Sequence, residues 1–417
     1  MVYAAVGLTL ELVLSNNGLV VFPRGTMTKR SAVFACAVAL AWGSGAMAAE
    51  SVPIDVMLPL TGPGAFLGGQ EKIAVELIQK LVNQQGGIKG QPVEFVFQDD
   101  QTNPQVAVQL FQQINASGPA VFLGSALTAT CAAVSPLLQN GPVQYCFSPV
   151  PHPPAGSFSF TSGVASRDAE RTAMVFAREK GWTRIAAMIS TDATGQDAER
   201  GVTEAVNLPE NKSLSLVEVA RFNPTDVTVT AQIERIRAAK PQVMMVWSTG
   251  AQFATVLKGL VQAGLDIPVL SNYGNMTYQQ MKQYADFLPK DLYFPASIWP
   301  KAPPGMKLDP KIEAAKDDFY RYFASAGLKP DAASGLAWDS TLAVVDSLRE
   351  LGPKTSAAAL RDHLVHLKGF GGVNGFYDFE RYPQRGLGQE NVVVTRWNAA
   401  SGAWEWVSRP GGIPLDR

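Results

Sequence analysis

Histidine and cysteine are scarce in this chain, three of each among 417 residues. A structural zinc or an iron–sulfur cluster needs several such ligands close together, so no metal centre is expected. Charge is scarce as well: 17% of residues are charged, the formal net charge is −1 and no basic stripe occurs. That leaves no electrostatic footprint for a nucleic-acid partner. Catalytic signatures are missing too, with no G-x-S-x-G elbow, P-loop or H-E-x-x-H. His363 and His366 stand one helical turn apart, but no carboxylate or cysteine is spaced to complete a metal set, and they read as a solvated helix face. With no nucleophile and base pair in view, neither enzymatic activity nor a cofactor is expected.

What is present is apolar sequence, 47% of the chain, in a length that exceeds one average domain. Near the start, Lys29 and Arg30 precede the apolar stretch Ser31–Trp42, and Ala46-Met47-Ala48 supplies a small-x-small pattern. This is the form of a cleaved export signal. Residues 27–48 are therefore read as the signal, with cleavage after Ala48 and a periplasmic destination. Residues 1–26 contain Glu11, Asn16 and Asn17, which suit neither a signal nor a span, and read as lying upstream of a true start at Met27. In an oxidising compartment Cys131 and Cys146 either pair or remain two buried thiols.

After the signal, apolar runs of strand length alternate with amphipathic helical ones. Val52–Leu58, Val93–Gln98, Ala120–Leu123 and Val143–Phe147 read as strands, separated by helices that include Gln70–Gln84 and Gln105–Ile114. The alternation restarts with strands at Arg184–Ile189, Leu214–Ala220, Val243–Val246 and Pro268–Leu270. The expectation is an α/β fold of two successive parallel sheets covered by helices. Three later helices, Lys311–Ala326, Ala332–Glu350 and Ser356–Leu364, have no strands between them and are expected to pack back on the first sheet.

In open parallel sheets ligands bind beyond the carboxyl ends of the strands, so the strand-to-helix loops carry the functional interest. Thr61–Gly69 is glycine-rich without dinucleotide-binding spacing, and reads as a backbone approaching a ligand or as a tight turn. Gly124–Thr130 is rich in hydroxyls, and Thr128 either caps the following helix, contacts a ligand carboxylate, or does both. Ser148–Pro154 is stiff and extended, with His152 either a surface residue or a donor into a cleft. Tyr273, Tyr278 and Trp299 stand as core residues or as ligand platforms.

Taken together, Ile54–Gly62, Asn83–Gly90 and Gln98–Pro104 strongly resemble the leucine/isoleucine/valine-binding family of type I periplasmic receptors. Further matches are Phe222–Asp226, Ala239–Pro241, Gln262–Leu265 and Gly369–Gly372. The resemblance implies two Rossmann-like lobes joined by three crossovers, residues 49–160 with 297–371 forming one and 161–292 with 380–417 the other. The crossovers are expected near Phe160, at 293–296 and at 372–379. It also implies a monomeric receptor that passes a small molecule to the permease subunits of an ABC importer. Site residues carried over are Phe66 and Leu67 in the first loop, Thr128 with Ala129 beside it as carboxylate contacts, and Val150 and His152 in the next loop.

Thr194, Thr249 and Tyr273 fall where amino-acid binders of the family carry a tyrosine, another aromatic and an acid that neutralises the ligand ammonium. None of the three is kept. A buried ammonium without a counter-charge is costly, so the reading is a carboxylate without an α-ammonium group, such as an aromatic or branched organic acid. The alternatives are a hydrophobic amino acid neutralised by Asp192 or Asp197, and an extracellular sensor for a signalling partner.

Overall fold

The computed structural model describes residues 10–15, 18–23 and 50–416. Leu10–Ser15 (β1) and Gly18–Pro23 (β2) pair antiparallel and form a unit of their own. The export signal expected at 27–48 lies outside the described residues. Everything else considered below belongs to the unit that begins at Glu50.

The first sheet consists of Val52–Leu58 (β3), Val93–Asp99 (β4), Val121–Gly124 (β5), Val143–Cys146 (β6) and Ser159–Thr161 (β7), in the order β4-β3-β5-β6-β7, all parallel. Its short central strands β5 and β6 are buried throughout because helices cover both faces. Ala65–Gln84 (α1) buries Ala74, Val75, Ile78, Leu81 and Val82 along one stripe. Pro104–Ala116 (α2) starts cleanly, with Pro104 in its first turn and the Asn103 side chain accepting from the Gln105 amide at 2.8 Å. Thr128–Val134 (α3) is short and stops before Pro136.

Helix α1 begins at Ala65, five residues before the expected Gln70, which puts Gly68 and Gly69 inside it. The reason is packing: a Cβ on Gly68 would lie 2.4 Å from the Pro59 carbonyl oxygen. This glycine lets the helix approach the end of β3, and it is not a loop residue reaching for a ligand.

The second sheet has the order β16-β15-β12-β11-β10-β8-β9. Arg184–Ser190 (β8), Ser215–Phe222 (β9), Val243–Trp247 (β10), Val269–Ser271 (β11) and Leu292–Ser297 (β12) run parallel. Val392–Asn398 (β15) pairs antiparallel with β12, and Ala403–Trp406 (β16) closes a hairpin on it. The sheet is therefore mixed at one side rather than wholly parallel. Its helices are Ser166–Glu179 (α4), Ala193–Val206 (α5), Thr230–Ala239 (α6), Ala251–Ala263 (α7) and the short Tyr278–Gln283 (α8).

Between β12 and β15 come Pro310–Ser325 (α9), Ala332–Leu351 (α10) and Ala357–Val365 (α11), then a small hairpin of Lys368–Gly371 (β13) and Phe376–Asp378 (β14). Helix α10 lies against α1, and Phe319 and Phe323 of α9 meet Trp338 with ring centroids 5.1 and 6.1 Å apart. The chain passes between the two sheets at 162–165, after Ser297, and in the stretch that precedes β15. Asp339 anchors this last stretch, accepting from the amides of Val373 and Asn374 at 2.8 Å each and from the Tyr377 hydroxyl at 2.9 Å. Residues 293–296, expected as a crossover, lie within β12 and are hydrogen-bonded into the second sheet.

Candidate functional site

The carboxyl ends of β5, β6, β8, β10 and β11 converge on a cavity of about 80 Å³. One wall comes from the first sheet: Leu67 of α1, Ala126-Leu127-Thr128 after β5, and Ser148-Pro149-Val150 after β6. The other comes from the second: Ser166, Thr194, Trp247, Thr249 and Asn272-Tyr273-Gly274. A neighbouring recess of about 250 Å³ shares Leu67, Leu127, Thr128, Thr194 and Thr249, and adds Phe66, Ala129 and Asp192.

The first wall is braced from behind. Gly124 takes a positive φ of +91° where a Cβ would meet the Met57 carbonyl oxygen at 1.9 Å, so the chain can turn off β5 only with glycine there. The Ser125 hydroxyl donates to buried Asp100 at 2.5 Å. Cys131 on α3 is bonded to Cys146 at the end of β6, with Cα atoms 6.0 Å apart. The disulfide thus ties together the two elements that carry Thr128 and Ser148, whose hydroxyl oxygens lie 3.0 Å apart. Thr128 is not the cap of α3: Leu127 holds that position and provides no side-chain bond, so the amides of the first turn are left uncapped by any side chain.

The second wall is held by hydrogen bonds to backbone. The Asn272 amide donates to the Ser248 carbonyl at 2.8 Å. Tyr273 presents its ring to the cavity, but its hydroxyl donates to the Val164 carbonyl at 2.6 Å and is not available to a ligand as expected. Burial raises the pKa of this phenol above its ordinary value and keeps it protonated. Trp247 is buried, and its indole N–H has no hydrogen-bond partner. Gly250 faces Phe66 so closely that a Cβ would stand 3.2 Å from the ring, so Phe66 of the first loop reaches the second wall beside the cavity.

His152 does not line the cavity. Its Nε2 lies 3.2 Å from Asp197 on α5, a contact between the two walls' supporting elements. Asp197 also accepts from the Ser166 hydroxyl at 2.8 Å and meets Arg167 and Arg200 at 3.4 Å each. Burial alone would raise its pKa, but the hydrogen bonds from His152 and Ser166 and the charges of His152 and Arg167 outweigh it and hold the carboxyl well below the usual range. Asp192 caps α5, accepting from the Gly195 amide at 2.9 Å and the Ser190 hydroxyl at 3.0 Å. Both acids considered as replacements for the missing counter-charge are thus engaged elsewhere, by arginines and histidine in one case and by a helix end in the other.

The structure brings Leu67, Thr128, Val150, Thr194, Thr249 and Tyr273 together around one cavity, places Phe66 and Ala129 in the adjoining recess, and leaves His152 outside both. Sequence reasoning missed Ser148, Ser166, Trp247 and Asn272. Trp247 ends β10 and Asn272 directly follows β11, so the strand-end rule would have found them. Among the described residues no charged side chain lines the cavity itself, and Arg385, which is buried nearby, spends its guanidinium on the carbonyls of Gly163 at 3.2 Å and Pro151 at 2.7 Å.

The chain is similar to a Leu/Ile/Val-binding protein homolog of Brucella melitensis, 26% identical over 56% of this chain and 64% of the relative. It is also similar to a leucine-, isoleucine-, valine-, threonine- and alanine-binding protein of Pseudomonas aeruginosa, 21% identical over 58% of this chain and 65% of the relative. The chain thus spans a little under two thirds of the length of these relatives. Among solved structures, a type 1 periplasmic binding protein from Bordetella pertussis superimposes with a TM-score of 0.73 at 20% identity, covering 86% of this chain and 99% of that one. Residues 51–403 match the periplasmic binding protein family, and the chain belongs to it, as a member of the Leu/Ile/Val-binding type.

Proposed function

We propose that the protein is a periplasmic receptor that encloses a small organic carboxylate lacking an α-ammonium group, of the aromatic or branched kind, and delivers it as a monomer to the permease of an ABC importer. The observation that carries this is the lining of the cleft cavity. Hydroxyls of Thr128, Ser148, Thr194 and Thr249, with the Trp247 indole, surround it, and among the described residues no carboxylate does. Hydroxyl, indole and helix-end N–H groups all serve an anion, and a carboxylate on the uncapped first turn of α3 gains from the local dipole. An ammonium in the same place would meet as a carboxylate only Asp192 of the adjoining recess, which is engaged at the start of α5. The disulfide agrees with an oxidising compartment.

Transport by such a receptor needs binding and release, not bond chemistry, and no catalytic role is proposed. Ligand touching both walls selects the closed state, while the lobes hinge on the three chain passages to let it go. Protein purified from its native host under mild conditions and analysed by mass spectrometry after denaturation should release an organic acid without an amine. Release of leucine, isoleucine or valine would reject the ligand class. An unchanged radius of gyration in solution scattering at saturating ligand would reject the cleft as the site.

A further inference from the structure

A second cavity, of about 340 Å³, lies away from the cleft, where the β15–β16 hairpin and α8 of the second sheet meet α9 and the chain that follows β12. Its walls are rings: Tyr278, Trp299, Tyr320 and Trp404. Tyr278 and Trp404 stand 4.7 Å apart between centroids, and Trp299 and Trp404 5.7 Å. Lys301 and Lys329 stand at its rim, with their ammonium groups 5.0 Å from the Tyr320 ring and 5.5 Å from the Tyr278 ring. This space exceeds the cleft cavity and reaches the size that ordinarily holds a small organic ligand, ~300 Å³ and above.

The polar groups of the lining are one-sided. The indole N–H groups of Trp299 and Trp404 are buried and have no hydrogen-bond partner. The Tyr320 hydroxyl is committed to the Trp299 carbonyl at 2.8 Å. Among the described residues no carboxylate lines this cavity. Flat aromatic walls, two unanswered N–H donors and two cations call for a planar apolar body bearing an anionic acceptor group. We infer that this cavity is a second binding site, for a small aromatic carboxylate, independent of the cleft.

Nothing in the reading of the cleft requires it, and the two sites fail separately. The test is a fluorine NMR titration of the full chain with para-fluorobenzoate, with Thr128→Val to weaken the cleft. Saturable binding should persist in Thr128→Val, fall several-fold in the double variant Lys301→Ala/Lys329→Ala, and fall again in Trp404→Phe, which keeps a ring but removes the N–H. The lysines are exposed, so their removal leaves the fold intact, and a thermal melt checks this. Para-fluorobenzylamine, the same ring with a cation, should bind far more weakly. Binding that vanishes in Thr128→Val, that ignores the lysine and tryptophan changes, that accepts the amine equally, or that is absent up to about 10 mM would overturn the second site.

Discussion

The two walls of the cleft are built by different means: the first is cross-linked, with the Cys131–Cys146 disulfide behind Thr128 and Ser148, whereas the second is stitched to its own backbone through Asn272 and Tyr273. The first wall consequently offers groups that still have bonding capacity, namely hydroxyls and the uncapped amides of α3. The second offers the Thr194 and Thr249 hydroxyls and the partnerless Trp247 indole N–H, while Tyr273 and Asn272 have spent their donors and contribute shape. We assign anion recognition chiefly to the first wall, where helix-end amides join the hydroxyls, and selection of the ligand's body chiefly to the second.

The largest effect should come from cutting the brace. Cys131→Ser with Cys146→Ser opens a short loop, and in the chain-entropy view costs about 3 kcal/mol. A melt should show a drop of several degrees together with weaker ligand binding, and an unchanged melting temperature would mean the brace does not set the first wall. Next, Thr128→Val should weaken binding by roughly ten- to a hundredfold, since a hydrogen bond to a charged group contributes ~1.5–3 kcal/mol. Calorimetry that finds the two proteins equal removes Thr128 from the anion site.

A smaller change is expected on the opposite side. Trp247→Phe keeps most of the apolar surface and loses the N–H, so affinity should fall by a factor of about three to ten, as for one neutral hydrogen bond. A loss larger than that of Thr128→Val would reverse the assignment of roles between the walls.

Smallest is the acid response of Asp197. Its folded pKa is depressed, so the stability it contributes is fully present above the unfolded value of about 4 and is lost as pH falls below it. Asp197→Asn should therefore lower stability at neutral pH and flatten the decline measured by denaturant titration between about pH 4 and pH 2. A mutant whose acid limb is as steep as wild type would contradict the role given to this carboxyl.

Much of this architecture was legible in the sequence, for a physical reason. Strands covered on both faces read as unbroken apolar runs, so β3, β8 and β10 stood out; the strand-end rule then pointed to Thr128, and the family resemblance to Tyr273. The start of α1 was read too late because its first turns contain Gly68 and Gly69 and look like a loop. The β15–β16 hairpin interrupts the β-α repetition on which the reading leaned, and it went unmarked. Partners far apart in sequence were out of reach: nothing local tells His152 that Asp197 will stand beside it, or tells the Tyr273 hydroxyl that the Val164 carbonyl will occupy it.

The central claim is that the cleft suits a carboxylate without an ammonium group, and one matched pair tests it directly. Isocaproate is leucine without its amino group, so the two ligands share a branched body and a carboxylate and differ only in the charge at issue. Calorimetric titration of ligand-free protein should give isocaproate the higher affinity, by about tenfold or more, because the ammonium of leucine enters a cavity with no carboxylate in its lining. Tighter binding of leucine would contradict the account.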